Sequence, residues 1–206
     1  MGEKTNRKCF VCNGASNHSE REREINDFYA TPSVATKALN TYMNTNYPNI
    51  KKGVIWEPAC GKGHIAEVFR KDGYTVVATD LIDRGDGCCG ENYDFLGNNN
   101  IHTECHIITN PPYKYAQQFV EKAMDIMEDG KYLCMFLKLT FLEGKKRYEM
   151  FQKYPPKEIL VFSSRVNSAY GGNFEKEPEI GGAVAYAWYI WEKGNKNNPK
   201  ISWIKI

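Results

Sequence analysis

The tetrapeptide Asn-Pro-Pro-Tyr at residues 110–113 carries the groups needed to hold a planar amine. The Asn110 side-chain oxygen and the Pro111 carbonyl can each accept a hydrogen bond from an exocyclic NH2 group, while the Tyr113 ring offers a surface on which a base can stack. Each proline fixes φ at about −65° and removes an N–H donor, so the turn is stiff and its carbonyls point outward. Taken alone, the tetrapeptide is also compatible with an ordinary turn after a strand.

A second candidate site lies at residues 57–63, which read Glu-Pro-Ala-Cys-Gly-Lys-Gly and follow a short apolar strand. In an open α/β sheet, ligands bind beyond the carboxyl ends of the strands, and glycines there let a ligand approach the backbone closely. The segment lacks the Gly-Lys-Ser/Thr of a phosphate loop and the third glycine of a dinucleotide fingerprint. It therefore favours a small adenosine-type ligand without a pyrophosphate.

Acidic residues occupy the next two strand ends. Asp80 ends the second predicted strand, where a carboxylate can accept hydrogen bonds from both ribose hydroxyls. An aspartate that caps a helix or a turn is the alternative for this position. Asp94 and Phe95 could bind an adenine amino group and cover its ring, although residues 92–100 also have the composition of a plain loop.

Alternating helices and strands must position these residues. Apolar periodicity predicts helices over residues 33–47, 63–71, 116–127 and 145–153, and strands over 53–57, 75–79, 106–109, 132–137 and 158–162. Strands separated by helices of about ten residues pair in parallel through right-handed crossovers, so the core is predicted to be an open α/β sheet. Two further strands, at 183–191 and 201–206, are joined by a short polar segment and predict a C-terminal antiparallel hairpin.

Length and composition favour one globular domain. The chain has 206 residues, of which 42% are hydrophobic and 25% are charged. We expect a polar tail over 1–26 and a single domain over 27–206. The net charge of +2 means that an anionic partner must be met by a local patch. Without an apolar run long enough for a membrane span or a signal peptide, the sequence predicts a soluble protein inside the cell, in the cytoplasm.

The cysteines give little support for a metal site. Cys9 and Cys12, with His18 nearby, could be half of a zinc site, but no second close pair is present unless Cys88 and Cys89 approach them in space. Two surface thiols are the preferred interpretation, and no metal is predicted. The seven scattered cysteines favour a reducing compartment.

In combination and order, these segments resemble S-adenosylmethionine-dependent amino-methyltransferases. Upstream, Asp-Phe-Tyr-Ala-Thr-Pro at residues 27–32 resembles the Phe-x-Thr-Pro segment of DNA adenine-N6 methyltransferases of the gamma arrangement. The resemblance covers residues 27 to about 193, and its general form is similar to the small phage and prophage-type adenine methylases. It implies a Rossmann-like class I methyltransferase sheet and S-adenosylmethionine as cofactor. Most larger members append a target-recognition domain, for which no residues remain here after the sheet.

The resemblance also implies roles for individual residues. Asn110 and the Pro111 carbonyl would hold the amine of a flipped-out adenine with its lone pair towards the sulfonium methyl, and Tyr113 would stack on the base. The implied cofactor contacts are Tyr29, Thr31 and Pro32 at the methionine end, Glu57, Ala59, Gly61 and Gly63 along the amino acid and ribose, Asp80 at the ribose hydroxyls, Asp94 and Phe95 at the adenine, and Asn110 beside the reacting group.

DNA contacts are expected from the loop over residues 163–182, the longest connection without an element signal. Arg165 and Lys176 could contact phosphate, and Phe174 could sandwich the flipped base opposite Tyr113. A mobile surface loop is the alternative. A second basic region consists of Lys138, Lys145, Lys146 and Arg147, whose helical members could instead form a solvated face.

The predicted function is methyl transfer from S-adenosylmethionine to the 6-amino group of adenine in DNA, by a phage- or prophage-encoded enzyme. The same turn could act on adenine in RNA, on the cytosine 4-amino group or on a protein glutamine. Glutamine methylases carry a helical domain before the sheet and lack the segment at 28–32, which disfavours them. A nucleic-acid-binding protein without catalysis is the remaining alternative. Neither the recognition sequence nor the oligomeric state can be predicted.

Overall fold

The computed structural model describes residues 29–84, 90–97, 102–170, 174 and 180–206. The predictions for the tail, for Phe28 and Lys176, and for the candidate zinc ligands Cys9, Cys12, His18, Cys88 and Cys89 lie outside the described residues. The helices are α1 (Ser33–Asn46), α2 (His64–Lys71), α3 (Ala116–Ile126) and α4 (Lys145–Lys153). The strands are β1 (Tyr29–Ala30), β2 (Ile55–Glu57), β3 (Val76–Asp80), β4 (Glu91–Asn92), β5 (His106–Thr109), β6 (Tyr132–Lys138), β7 (Glu158–Phe162), β8 (Ala169–Tyr170), β9 (Tyr186–Glu192) and β10 (Lys200–Ile204).

In this described part of the chain, eight strands form one sheet with the order β10-β7-β9-β6-β5-β2-β3-β4. The run from β6 to β4 is parallel throughout, whereas β9 is antiparallel to both of its neighbours, β6 and β7. The remaining two strands, β1 and β8, form a small antiparallel pair of their own. The predicted Rossmann-like α/β sheet is confirmed.

The predicted C-terminal hairpin is wrong, because β9 and β10 do not pair with each other. Strand β7 lies between them, and β10 pairs with β7 in parallel. The physical reason is that β6 and β7 occupy both edges of β9, so β10 pairs with the remaining edge of β7. Residues 193–199 carry the chain past Glu158, the first residue of β7, to the far side of that strand. Strand β10 becomes the sheet edge, and its Ile201 and Trp203 are exposed.

Helices cover the sheet on both faces. One apolar cluster joins α1 and α2 to the sheet through residues such as Leu39 and Phe69, and a second joins α3 and α4 through residues such as Val120 and Met150. Successive strand residues alternate between these clusters, as a pleated strand requires. No helix in the described ranges is long and apolar enough to cross a lipid bilayer.

Strand β9 fastens a helical region on each face of the sheet. The indole N–H of Trp188 donates to the Ala35 carbonyl in α1 at 2.9 Å, and that of Trp191 donates to the Tyr154 carbonyl after α4 at 3.0 Å. Both tryptophans are fully buried. Each indole therefore combines a large apolar burial with one satisfied polar contact.

A buried carboxylate joins the first helix to the last strand. Glu158 in β7 accepts hydrogen bonds from the hydroxyls of Tyr42 (2.6 Å), Tyr47 (2.5 Å) and Ser202, and lies 3.1 Å from the Lys200 ammonium. Burial alone would raise the pKa of this carboxyl, but the four donors together lower it. Glu158 is therefore a charged group that the fold stabilises.

Candidate active site

A pocket of about 300 Å³ opens at the edge of the sheet where the carboxyl ends of β2, β3 and β5 meet. This is where an open α/β sheet is expected to bind its ligand. Its lining includes eight residues predicted from the sequence, namely Tyr29, Thr31, Glu57, Ala59, Asp80, Asp94, Phe95 and Asn110. The two candidate sites recognised in the sequence are therefore walls of one pocket.

The loop after β2 turns sharply through two glycines. Gly61 and Gly63 have φ angles of 55° and 76°, in the left-handed region that side chains rarely adopt. The Gly63 N–H donates to the Cys60 carbonyl at 2.7 Å, and α2 begins at the next residue. The two glycines give the loop its shape, although neither of them lines the pocket.

Asp80 supports this loop and also faces the pocket. Its Oδ2 accepts a hydrogen bond from the Gly61 N–H at 2.7 Å, and its Oδ1 accepts one from the Ile82 N–H at 3.1 Å. The residue is 8% exposed. A carboxylate has about four acceptor positions, so both oxygens can accept further bonds from a ligand. The turn role and the ligand role proposed for Asp80 are therefore compatible.

Glu57 is a buried carboxyl at the end of β2. Its Oε2 accepts a hydrogen bond at 2.8 Å from the Ala66 N–H in the first turn of α2. Burial raises the pKa of Glu57 well above its usual range, and the charge of Asp80 adds to this rise. The Ala66 N–H and the Arg70 guanidinium oppose it. Glu57 thus holds its proton more strongly than an exposed glutamate.

Asp94 and Phe95 line the pocket in different ways. Oδ1 of Asp94 accepts hydrogen bonds from the N–H groups of Leu96 (3.1 Å) and Gly97 (2.9 Å), so this carboxylate closes its own turn. Phe95 is 3% exposed and stacks on Phe119, with ring centroids 4.8 Å apart. The Phe95 ring is therefore an apolar wall that is held in place by the core.

The orientation of the Asn110 side chain is fixed by a backbone group. Its Nδ2 donates a hydrogen bond to the Tyr29 carbonyl at 2.8 Å. A carbonyl oxygen can only accept, so this contact determines which end of the amide faces Tyr29. Oδ1 of Asn110 remains as the acceptor that this side chain offers to a donor in the pocket.

The segment that holds Asn110 is itself held by the loop after β7. Strand β1 pairs with β8, which lies in that loop. The buried hydroxyl of Ser168 also donates to the Ala30 carbonyl at 3.0 Å. A chain of contacts therefore runs from the 163–182 loop through residues 29–30 to the side chain of Asn110.

Tyr113 is surrounded by aromatic rings and a cation. Its ring is nearly parallel to that of Tyr29, at 17° and 6.2 Å between centroids, and lies 6.2 Å from the ring of Tyr186. The Lys138 ammonium is 5.1 Å from the centroid of the Tyr113 ring. A base stacking on Tyr113 would therefore meet Tyr29 or Lys138 as its neighbour.

Sequence reasoning missed several residues of the pocket. Tyr115, a residue that is 42% exposed, lines it, and the Lys114 ammonium lies 4.7 Å from the centroid of the Tyr115 ring. The spacing Tyr-Lys-Tyr after the two prolines was the signal that could have pointed to it. The other lining residues without a predicted role include Tyr93, Leu96, Ile82, Arg84 and His64.

Some predicted site residues lie outside the pocket lining, namely Pro32, Gly61, Gly63, Pro111, Tyr113, Arg165 and Phe174. The ring of Phe174 contacts His64 at the start of α2, with centroids 5.6 Å apart, so its described aromatic neighbour is beside the glycine loop and is not Tyr113. Arg147, predicted to belong to a basic patch, donates to the carbonyls of Phe141, Thr140 and Glu143. It therefore closes the turn before α4.

Within the ranges that the structure describes, no group of His, Cys, Asp and Glu side chains has an arrangement suited to a metal ion. The described cysteines Cys60, Cys105 and Cys134 are thiols and not members of a disulfide. Burial raises the pKa of the Cys134 thiol, which makes it a poor nucleophile. The polar side chains lining the pocket include carboxylates, an amide, hydroxyls, the His64 imidazole and the cationic groups of Arg84 and Lys114.

No protein-family model matches the sequence, and no curated protein matches it either. Solved structures do share its fold. The methyltransferase subunit of a type I restriction-modification system from Streptococcus thermophilus aligns with a TM-score of 0.61 and 11% identity, over 86% of this chain and 47% of that chain. A proposed RNA methyltransferase from Pyrococcus horikoshii aligns with a TM-score of 0.57 and 15% identity, over 84% and 90% of the two chains.

A proposed class I S-adenosylmethionine-dependent methyltransferase from Listeria monocytogenes also aligns, with a TM-score of 0.56 and 16% identity. This alignment covers 86% of this chain and 65% of that one. The chain therefore spans less than two thirds of the Listeria and Streptococcus structures. These similarities establish the fold, which is that of the class I methyltransferases.

Proposed function

We propose that this protein transfers a methyl group from S-adenosylmethionine to the 6-amino group of adenine in DNA. The observation that carries the proposal is the orientation of Asn110. Its Nδ2 is tied to the Tyr29 carbonyl, so Oδ1 is presented as an acceptor in the pocket that begins at the glycine loop. An acceptor in that position suits a substrate that has N–H donors.

The groups lining the pocket fit S-adenosylmethionine. Asp80 has acceptor capacity left for the ribose hydroxyls, Asp94 can accept from the adenine amino group, and Phe95 offers an apolar wall to the adenine ring. The backbone of the glycine loop would receive the amino-acid part. When bound, this cofactor supplies an electrophilic methyl group on a sulfonium centre.

Asn110 and the Pro111 carbonyl would prepare the nucleophile. The adenine amine is a poor nucleophile because its lone pair is delocalised into the ring. Two acceptors, one for each amine hydrogen, favour a tetrahedral nitrogen whose lone pair is exposed. The amine nitrogen would form the new N–C bond as the bond between the methyl carbon and the sulfonium breaks, which leaves a neutral thioether, and the methylated amine would then release one proton to solvent. Alignment by residues held in place beforehand supplies most of the expected rate enhancement.

Two fold similarities bear on which nucleic acid is the substrate. The shared fold with the restriction-modification subunit favours DNA. The fold likeness to the proposed RNA methyltransferase, which covers 90% of that chain, favours adenine in RNA as the second candidate. Inside a duplex the amine cannot reach the pocket, so the base must be flipped out and stacked on Tyr113. The resemblance to phage and prophage-type methylases adds a phage or prophage origin to the proposal.

The proposal is tested by supplying the protein with methyl-labelled cofactor and separate DNA, RNA and protein substrates. We expect label in DNA that elutes as N6-methyladenine after digestion to nucleosides. Label confined to RNA or protein would reject DNA as the substrate, and no label in any of them would reject methyl transfer to these acceptors.

The variant Asn110→Ala is expected to lose methyl transfer by about a hundredfold or more, because it removes a positioned acceptor for the amine. Cofactor binding, measured by calorimetry, should be largely retained. Asn46→Ala is the matched control, since Asn46 also donates to a backbone carbonyl but lies on the exposed surface of α1. Turnover by Asn110→Ala equal to that of the wild type would contradict the mechanism.

A further inference from the structure

Lys138 lies at the catalytic turn although it is far from it in sequence. It is the last residue of β6, whose parallel neighbour β5 leads directly into the Asn-Pro-Pro-Tyr turn. The backbone of Lys138 is anchored, because its carbonyl accepts a hydrogen bond from the Tyr189 hydroxyl at 3.2 Å. Its ammonium extends over the Tyr113 ring, 5.1 Å from the centroid.

No carboxylate neutralises this ammonium within the part of the chain that the structure describes. The ion pairs described there involve Lys51, Lys71, Lys157 and Lys200. The face of an aromatic ring attracts a cation but carries no net charge. Lys138 is a half-buried residue whose ammonium has an aromatic ring as its described partner, so an anion placed beside that ammonium would be stabilised.

The present position of the Lys138 ammonium conflicts with the proposed reaction. A base stacked on that face of Tyr113 needs the space above the ring. In addition, methyl transfer moves positive charge onto the amine nitrogen, and a second cation beside it would oppose that change. A lysine side chain is a flexible stem with a compact charge, so Lys138 can move when the base arrives.

We infer that Lys138 binds the phosphate of the target nucleotide when the base stacks on Tyr113. This inference rests on the proposed function and extends it to the substrate class. A phosphodiester is the anion that accompanies a flipped base, and pairing with it would neutralise the ammonium beside the reacting amine. Lys138 is then a specificity residue that favours a nucleotide within a strand over a glutamine side chain or a free base.

The experiment uses an oligonucleotide that contains the adenine to be methylated by the enzyme. The linkages beside that adenine are either native phosphates or carry a neutral methylphosphonate. For the wild type, we expect kcat/KM to fall about tenfold on the neutral substrate at whichever of the two flanking positions Lys138 contacts. For Lys138→Gln, kcat/KM on the native substrate should be about tenfold lower than that of the wild type. It should show no further loss on the neutral substrate. Lys138→Arg should keep the sensitivity to methylphosphonate, because the positive charge is retained.

Lys131→Gln is the matched control, because Lys131 adjoins the opposite end of the same strand and the charge change is identical. It should behave as the wild type. Lys138→Gln should also lower the dependence of log(kcat/KM) on log[salt] by about 1, the contribution of a single phosphate contact. Equal sensitivity of Lys138→Gln and the wild type to methylphosphonate at both positions would overturn the assignment. If the wild type methylates no nucleic acid, the proposed function itself fails.

Discussion

Asn110 shows how a backbone group can determine what a side chain does. The Tyr29 carbonyl, 81 positions earlier in the chain, receives the amide N–H and so selects which atom faces the pocket. The sequence identifies Asn110 as a candidate because its amide stands before two prolines. Its orientation could not be predicted, because no local pattern connects residues that are so far apart.

Asp80→Ala is expected to weaken binding of S-adenosylmethionine by about ten- to a hundredfold, the range for losing hydrogen bonds to a charged group. The variant also releases the Gly61 N–H, which Asp80 holds at 2.7 Å. Calorimetric titration measures the change. Asp80→Asn keeps one acceptor oxygen, so its affinity for S-adenosylmethionine should lie between those of the wild type and Asp80→Ala. An unchanged affinity in Asp80→Ala would remove Asp80 from the cofactor site.

Glu57→Gln is expected to stabilise the protein at high pH. Because burial raises the folded pKa of Glu57, its contribution to stability is present below the unfolded value of about 4.3 and is lost as pH rises through the folded pKa. Glutamine stays neutral and can still accept the Ala66 N–H. The melting temperatures of Glu57→Gln and the wild type should coincide at low pH and diverge at high pH. The divergence should be about 2–4 °C for each kcal/mol of difference in the free energy of unfolding. A wild-type advantage that grows with pH would contradict this view.

At the scale of elements, the short pair of β1 and β8 connects the loop after β7 to the Asn-Pro-Pro-Tyr turn. Each strand has two residues, so neither has a periodic signal that sequence reasoning could detect. The sequence predicted that residues 163–182 would meet the substrate. It did not predict that this loop would support Asn110 through Tyr29 and Ala30.

Ser168→Ala should lower kcat about five- to tenfold, because it removes the hydrogen bond to the Ala30 carbonyl beside Tyr29. Cofactor affinity should be unchanged, since Ser168 does not line the pocket. Ser164→Ala, at an exposed position of the same loop, is the control. If Ser168→Ala lowers the melting temperature without changing kcat, the contact stabilises the fold and has no part in positioning Asn110.

The positions of the two halves of the site could be predicted because both follow apolar strands of a parallel sheet. Strands such as 106–109 are recognisable from local composition, and their carboxyl ends must share an edge. The order of the last strands could not be predicted in this way. Whether β10 pairs with β9 or β7 depends on which strand edges are left once β9 lies between β6 and β7, which is a property of the assembled sheet.

For the molecule as a whole, Glu158 connects α1, β7 and β10. Glu158→Gln should lower the free energy of unfolding by about 2 kcal/mol at pH 7, through weaker hydrogen bonds to Tyr42, Tyr47 and Ser202. Because the folded pKa is lowered, the stabilisation by Glu158 is present above its unfolded pKa and is lost as pH falls through the folded value. Urea unfolding at pH 7 and pH 3 should therefore show a smaller difference between variant and wild type at pH 3. A constant difference would mean that the charge is not involved.

The place of β9 has a consequence for biosynthesis. The ribosome makes β6 and β7 before β9, yet β9 lies between them and contributes the buried Trp188 and Trp191. Thirty residues separate Phe162 at the end of β7 from Glu192 at the end of β9, and translation at about 5–20 residues per second needs about 2–6 s to make them. During that interval β6 and β7 have unpaired edges at the centre of the future sheet. The nascent chain is then most exposed to aggregation, and chaperones that bind extended apolar segments would act on it at this stage.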